Sequence, residues 1–559
     1  MESTRGAGRM THQVVGTAKG PGEHPHEFLF ITPDGDNVCK PGEFVYYTLA
    51  DENRAVLARI SRRAPVRLFP DTFMASPDVP PADIAAAVGY SAGEEELFEV
   101  AATVMGHFDP RLAAFVNPRV LPRSGSPIYL APDEMLAEVL SKRRPGEIAS
   151  ARVGWLLSRP SESVPVVLDV NEFTSTHLSI IAGTGSGKSY LAGVTIEELM
   201  RPYNRGCVLI ADPHGEYETL LEMQNRDEFC DGDYRPRVRI FKPDQVNVRV
   251  STLTVDDLRY LLPNLGERME WILNEAYNRV QRQAGSAYDG KWTVADLQAC
   301  VEEVGEEGAQ RGADLASSVQ GLLWRLKRQL IQSPNFDDSR HLDLNELFQP
   351  GQCTVLELNE IDQRDQQVIV ATLLRRLLKA RMDTQKGTLD PNDEAYLPYP
   401  AFVLLEEAHH FAPHSADAIS TTILKQVLAE GRKFGVGIGL ISQRPGKLDQ
   451  DVLSQCMTHF IMRIVNPVDQ ASVAGAVESV GRDLLEELPA LSKGQVIIAG
   501  SSLNTPVISQ TRPRITTHGG SSVAAADEWQ RYFERRGDRE RDAAVVDISR
   551  GRSKILHMD

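Results

Sequence analysis

The stretch Leu178-Ser-Ile-Ile-Ala-Gly-Thr-Gly-Ser-Gly-Lys-Ser-Tyr190 decides the reading of this chain. Residues 178–182 read as a buried apolar strand, and residues 190–200 as a helix. Between them lies a glycine-rich loop that ends in Gly-Lys-Ser. Glycines let such a loop turn its backbone N–H groups inward toward phosphate oxygens, and the helix N-terminus adds a favourable dipole. The spacing places Gly183, Thr184, Gly185, Ser186 and Gly187 around a nucleotide, Lys188 on its β- and γ-phosphates, and the Ser189 hydroxyl on Mg²⁺. Ala182 stands where the strict pattern has glycine, which is tolerable if the backbone there keeps a negative φ. ATP and Mg²⁺ are the implied ligands.

A second signal is Phe402-Val-Leu-Leu-Glu-Glu-Ala-His409. Four apolar residues make a buried strand with two acids at its C-terminal end, the edge where parallel sheets bind ligands. Glu406 is placed to hold Mg²⁺, and Glu407 to orient and deprotonate the attacking water. His409 and His410 lack the H-E-x-x-H order of a zinc helix and read as packing groups. A third apolar strand ends in Ser442-Gln-Arg-Pro445. Gln443 there is a candidate γ-phosphate sensor, although a plain strand-to-turn transition fits the spacing equally. Arg432, in Glu430-Gly-Arg-Lys433, and Arg463 are two candidates for an arginine that stabilises transition-state charge.

Apolar runs at 178–182, 207–211, 238–241, 354–358, 402–405, 437–441, 460–464 and 495–499 alternate with helical patterns, which indicates a parallel sheet covered on both faces. Residues 13–130 instead read as short strands punctuated by Gly, Pro and Asp, a small β-barrel, interrupted by a helical stretch at 94–105. Residues 131–176 read as a connector and 252–334 as a helical insertion. The sheet domain then comprises 177–251 and 335–514. Residues 1–12 read as a disordered tail, and 515–559 as a tail or arm with an arginine/acid mix.

With 559 residues the chain is long enough for two or three domains. Its net charge of −17 argues against a polybasic DNA-coating protein but not against a motor with its cations in a channel. The six cysteines include no C-x-x-C pair and read as buried thiols of a cytoplasmic protein. No apolar run is long enough for a membrane span.

Taken together, Ala182–Ser189, Asp212-Pro-His-Gly-Glu-Tyr217, Leu404-Leu-Glu-Glu-Ala-His409, Glu430-Gly-Arg-Lys-Phe434 and Ser442-Gln-Arg-Pro445 stand in the order seen in HerA, the DNA translocases of the HerA/FtsK division of ATPases. The chain resembles that family over about 177–514. The resemblance implies an α/β fold in which an N-terminal HAS-like barrel precedes a RecA-like domain. It also implies a homo-hexamer that threads double-stranded DNA as a translocase or helicase, with ATP at each subunit interface. Arg432 would then act on the neighbouring subunit's site, and Glu216 and Arg463 would lie near the nucleotide. The expected partner is a NurA-like nuclease in end resection during double-strand break repair. Two alternatives remain open on the same residues. One is the ATPase ring of an antiviral complex with a sirtuin-like or other effector; the other is a conjugation or secretion motor. A DEAH-type helicase, echoed by Glu407-Ala-His409, lacks its second helicase core here.

Overall fold

The computed structural model describes residues 13–33, 36–49, 54–66, 97–109, 111–112, 114–287, 291–311, 314–478, 480–519 and 525–533. The chain divides into two compact units, Met1–Thr517 and His518–Asp559. In the second, residues 525–533 form an exposed helix. The expected tail at 1–12 and most of the arginine/acid stretch lie outside the described residues.

The first unit opens with a barrel. Its strands are β1 (Val14–Pro21), β2 (Glu27–Thr32), β3 (Phe44–Leu49), β4 (Arg54–Pro65), β5 (Phe98–Asp109), β6 (Ala114–Val116) and β7 (Pro127–Leu130). They are hydrogen-bonded in the order β2-β1-β7-β3-β4-β5-β6, and a β2–β5 pairing closes the barrel. Phe28, Phe30, Tyr47, Val56, Val100 and Ile128 fill its core. Here a sequence expectation fails. The helix expected at 94–105 is the strand β5 from Phe98 onward, and residues 94–96 lie outside the described set. Its glutamates, Leu97 and two alanines favour a helix locally. However, Val100, Ala102 and Val104 alternate into the core, and β4 and β2 pair with both edges of the strand. Tertiary pairing outweighs propensity of this size.

The second layer is an 11-stranded sheet with helices on both faces. Its strands are β8 (Ser150–Leu156), β9 (Pro165–Asp169), β10 (Leu178–Ile181), β11 (Cys207–Asp212), β12 (Arg237–Phe241), β15 (Gln352–Glu357), β16 (Ala401–Leu405), β17 (Val436–Ser442), β18 (Thr458–Met462), β19 (Gln495–Gly500) and β20 (Val507–Thr511). A two-stranded ribbon, β13 (Val248–Arg249) with β14 (Phe336–Asp337), brings together the two ends of the helical insertion. The strand order is β12-β15-β11-β16-β17-β10-β18-β19-β20-β8-β9. From β12 to β18 all neighbours are parallel; from β18 to β9 all are antiparallel. So β19, expected in the parallel run, pairs antiparallel. Strands covered on both faces look alike in sequence whichever way they run. The stretch expected to be a connector, 131–176, supplies β8 and β9 and so finishes the sheet. Among the described residues, no helix is long and apolar enough to cross a membrane.

The end of the first unit is tied back to the helix Lys188–Leu199. Arg512 pairs with Glu197 (2.9 Å) and Glu198 (2.7 Å), and both glutamates are buried. Glu197 also accepts hydrogen bonds from the backbone N–H groups of Ile515 and Thr516. The Arg514 guanidinium lies across Gly193, where an added Cβ would sit 2.7 Å from it.

His177, just before β10, has φ +67 and is buried. Its Nε2–H donates to Leu428 O (2.9 Å), while Nδ1 accepts from Ile438 N–H (3.1 Å). Burial pushes its pKa down from 6.5 to about 4, against the Leu428 bond, which works to raise it. A histidine held neutral in the fold stabilises above its unfolded pKa, and that contribution is lost as pH falls toward the folded value. The loss should be about 2 kcal/mol between pH 7 and pH 5. Urea unfolding at the two pH values should show His177→Gln losing about that much less than the wild type on acidification. Equal losses would contradict the assignment.

Candidate active site

The phosphate loop leaves β10 at the C-terminal edge of the parallel strands and enters the helix Lys188–Leu199. Gly185 (φ +77) and Gly187 (φ +107) adopt backbone conformations that favour glycine. At Gly183 an added Cβ would lie 2.8 Å from Arg463 O. Ala182 is not among the positive-φ residues, so alanine fits the first position. Three neighbours brace the loop. Ala182 N–H donates to Ser442 O (3.2 Å), Gly183 N–H to Arg463 O (2.8 Å), and Gly494 N–H to Ser186 O (3.2 Å). Inside it, Ser186 Oγ donates to Gly183 O (2.6 Å).

Lys188 is buried. Its Nζ donates to Glu406 Oε1 and to Glu407 Oε1, the latter at 2.8 Å. Burial works to lower the Lys188 pKa, but the two carboxylates outweigh it and the ammonium is held charged. The two acids sit in different environments. Glu406 is fully buried, which pushes its pKa up to about 7 against the pull of Lys188 and Tyr217. Burial also works to raise Glu407, but His214 and Lys188 outweigh it and bring it down to about 2. Adjacent carboxyls separated in this way are suited to different tasks.

Glu407 has a left-handed backbone, φ +50 and ψ +49, a strain of about 1–3 kcal/mol for a non-glycine residue that typically marks a working site. Its Oε1 is held by Lys188 and by Gln443 Nε2–H (2.8 Å). Its Oε2 is buried and has no hydrogen-bond partner among the described residues. His409 Nδ1 lies 3.3 Å from that oxygen, and burial and His410 push the His409 pKa down to about 4, so the ring is neutral. Gln443 Oε1 accepts from Thr184 Oγ1 (3.1 Å), which links the loop to Glu407.

The sequence motif Asp212–Tyr217 contributes more than its glutamate. The buried Asp212 carboxylate accepts from the N–H groups of His214 (3.0 Å), Gly215 (2.9 Å) and Tyr217 (3.3 Å), and so shapes the turn after β11. That turn sends Tyr217 Oη to Glu406 Oε2 (2.9 Å) and places His214 Nε2 3.8 Å from Glu407. The sequence reading missed Asp212, His214 and Tyr217. An Asp two and three residues before His and Gly at a strand end was the available signal for the turn. Glu216 is half-buried in the same turn, and its carboxyl has no hydrogen-bond partner among the described residues. Loss of the Tyr217 hydroxyl should weaken Mg²⁺-dependent turnover. Tyr217→Phe is expected to raise the Mg²⁺ concentration for half-maximal rate by about 10-fold or more, about 1.5–3 kcal/mol for one hydrogen bond to a charged group. An unchanged Mg²⁺ titration would contradict it.

The fold thus brings Lys188, Glu406, Glu407, Gln443 and the phosphate loop together, with Ser189 in the first turn of the helix. Arg432 is elsewhere. It is exposed near the end of the helix Ile419–Phe434, just before β17 begins. The start of β17 pairs with the start of β16, whereas the two glutamates follow the end of β16. Arg432 therefore lies toward the opposite edge of the sheet from its own chain's loop. Arg463 gives the loop its carbonyl; its guanidinium Nε donates to Pro489 O (3.3 Å).

A parallel sheet with a braced phosphate loop, and a lysine bridging two acids at the end of the next strand but one, defines a P-loop ATPase. Residues 151–377 match the model of the HerA helicase central domain. A probable helicase of Methanocaldococcus jannaschii is 30% identical over 393 residues, covering 68% of this chain and 73% of that protein. The DNA double-strand break repair helicase HerA of Pyrococcus furiosus is 29% identical over 494 residues, covering 79% and 84%. Among solved structures, VirB4 of Thermoanaerobacter pseudethanolicus aligns over 66% of this chain and 98% of its own, at 15% identity and a TM-score of 0.45, which adds nothing to the assignment. The chain belongs to the HerA helicase family, and it is an ATP-hydrolysing enzyme.

Proposed function

We propose that this chain is an ATP-driven double-stranded DNA translocase or helicase that works as a hexamer in the repair of DNA double-strand breaks. The observation that carries the catalytic part is the hold of Lys188 and Gln443 on Glu407 Oε1, which leaves Oε2 buried and without a partner among the described residues. The loop amides and Lys188 grip the β- and γ-phosphates, for which Lys188 exchanges its carboxylate partners. Glu407, its Oε1 still held by Gln443, uses Oε2 to align a water with the γ-phosphate and takes its proton. Gln443 keeps that carboxylate in register with the loop. The Ser189 hydroxyl and the Glu406 carboxylate suit a divalent cation, because Glu406 is an oxygen donor buried beside the helix start. Mg²⁺ held there would neutralise charge on the phosphates. Glu216 would tune the charge of the turn beside the nucleotide.

The DNA substrate and the repair role are drawn from the relatives' names, and the ring and a NurA-like nuclease partner from the family resemblance. The position of Arg432, away from its own site, favours a pocket completed by a neighbouring subunit. The reading is tested by steady-state ATP hydrolysis with and without duplex DNA. Duplex should stimulate turnover, and the stimulation should fall as salt rises, because phosphate contacts release counterions. Turnover indifferent to duplex at low salt would overturn the reading.

A further inference from the structure

The phosphate loop has a second face. Gly183, Thr184, Gly185 and Ser186 border a cavity of about 430 Å³ whose wall also includes Gln443, Arg444, Arg463 and Lys493. Lys188, Ser189, Glu406 and Glu407 do not line it. The cavity is therefore distinct from the place where Lys188 meets the two acids.

Its electrostatics run against those of the chain. The protein carries a net charge of −17, yet three cations converge on this concavity. Arg444, Arg463 and Lys493 are exposed, and none has a carboxylate partner among the described residues. The one carboxylate in the wall, Asp469, is engaged by Gly446 N–H (3.0 Å). Like charges lining one cleft focus a field that an anion relieves, and the arginine fork matches phosphate oxygens.

The cavity is also connected to the hydrolysis site. Arg444 directly follows Gln443, whose amide bridges Thr184 on the loop and Glu407 (2.8 Å). The Arg444 backbone is itself anchored, its N–H donating to Ser442 Oγ (3.1 Å). Anything that draws on the Arg444 side chain acts on the peptide that sets the Gln443 amide, and through it on the orientation of Glu407.

We infer that this cavity takes a backbone phosphate of DNA and reports it to Glu407 through Gln443, so that hydrolysis is coupled to occupancy of the track. The inference rests on the translocase reading above. Phosphates of ATP are the other source of the same chemistry. They are the less suited occupant, because Lys188 and the helix start lie outside the cavity wall.

The experiment uses the full chain and the double variant Arg444→Ala/Lys493→Ala, with duplex DNA as the probe. Both side chains are exposed, so folding is expected to be intact, with an unchanged melting temperature. Basal turnover and the KM for ATP should stay at wild-type values, while stimulation by duplex is lost. The slope of log affinity for duplex against log salt should shrink by about 1–2, one or two phosphate contacts. Gln443→Ala should keep the wild-type salt slope and lose the stimulation. Wild-type stimulation and slope in the double variant would overturn the inference alone. A raised KM for ATP with an unchanged slope would assign the cavity to the nucleotide and overturn it as well. Stimulation retained by Gln443→Ala would overturn the relay. A wild-type protein that duplex does not stimulate would overturn the translocase reading, and the inference with it.

Discussion

Replacing Glu407 with Gln should stop turnover while leaving ATP bound. The substitution keeps the shape of the side chain and removes its basicity. The carboxylate is anchored through Oε1 by Lys188 and Gln443, with Oε2 buried and unpartnered, so the lost function is confined to that oxygen. Positioned general bases contribute about 10²–10⁴ in rate, and a fall in kcat of that size is expected. Nucleotide affinity should hold, because the loop amides and Lys188 are untouched. Single-turnover hydrolysis and equilibrium binding of labelled ATP separate the two quantities. A variant that turns over at more than about a tenth of the wild-type rate would remove Glu407 from the role.

Arg432→Ala should be comparably damaging, and its cure is more informative than its defect. An arginine that stabilises the transferring phosphoryl group from a neighbouring subunit is worth about 10³–10⁵ in kcat. Within its own chain, Arg432 sits before β17, toward the sheet edge away from the glutamates. That position is the reason to expect it to act on a neighbouring subunit's site. The decisive measurement mixes Arg432→Ala with Glu407→Gln. Each alone is expected to be inactive. In a mixed ring, an Arg432→Ala subunit supplies an intact Lys188 and Glu407, and its Glu407→Gln neighbour supplies the arginine. Activity should return on mixing and subunit exchange. Two inactive variants that stay inactive together, while demonstrably co-assembled, would exclude the shared pocket.

The parts of the site that were readable in advance are those a short stretch of chain determines. Gly183–Ser189 and Glu406–Glu407 each occupy one strand end and its turn, so spacing alone places them on one edge of the sheet. Gln443 was readable for the same reason, although its two partners, Thr184 and Glu407, emerge only in the fold. Tyr217 was not, because its tie to Glu406 spans 189 positions and nothing local marks it as a donor. The helix expected at 94–105 failed because the helix-favouring residues there, its glutamates and alanines, are a local signal and barrel closure is not. The parallel core followed from unbroken apolar strands, but the antiparallel end did not, since strand direction leaves no trace where both faces are covered.

The fastening of the first unit's end to the helix after the loop bears on how the molecule is made. Glu197 and Glu198 are buried on that helix; Glu197 takes its partners from Arg512 and residues 514–516, and Glu198 shares Arg512 with Arg152, Arg201 and Tyr203. A buried ion pair missing one member typically costs about 3–5 kcal/mol. At the same end of the chain, β20 closes onto β8, laid down some 350 residues earlier. During synthesis the barrel can fold as soon as it emerges. The sheet that carries the nucleotide pocket is closed only once β20 has been made, so a nascent chain cut short before it is expected to hold a folded barrel beside an unfinished ATPase sheet.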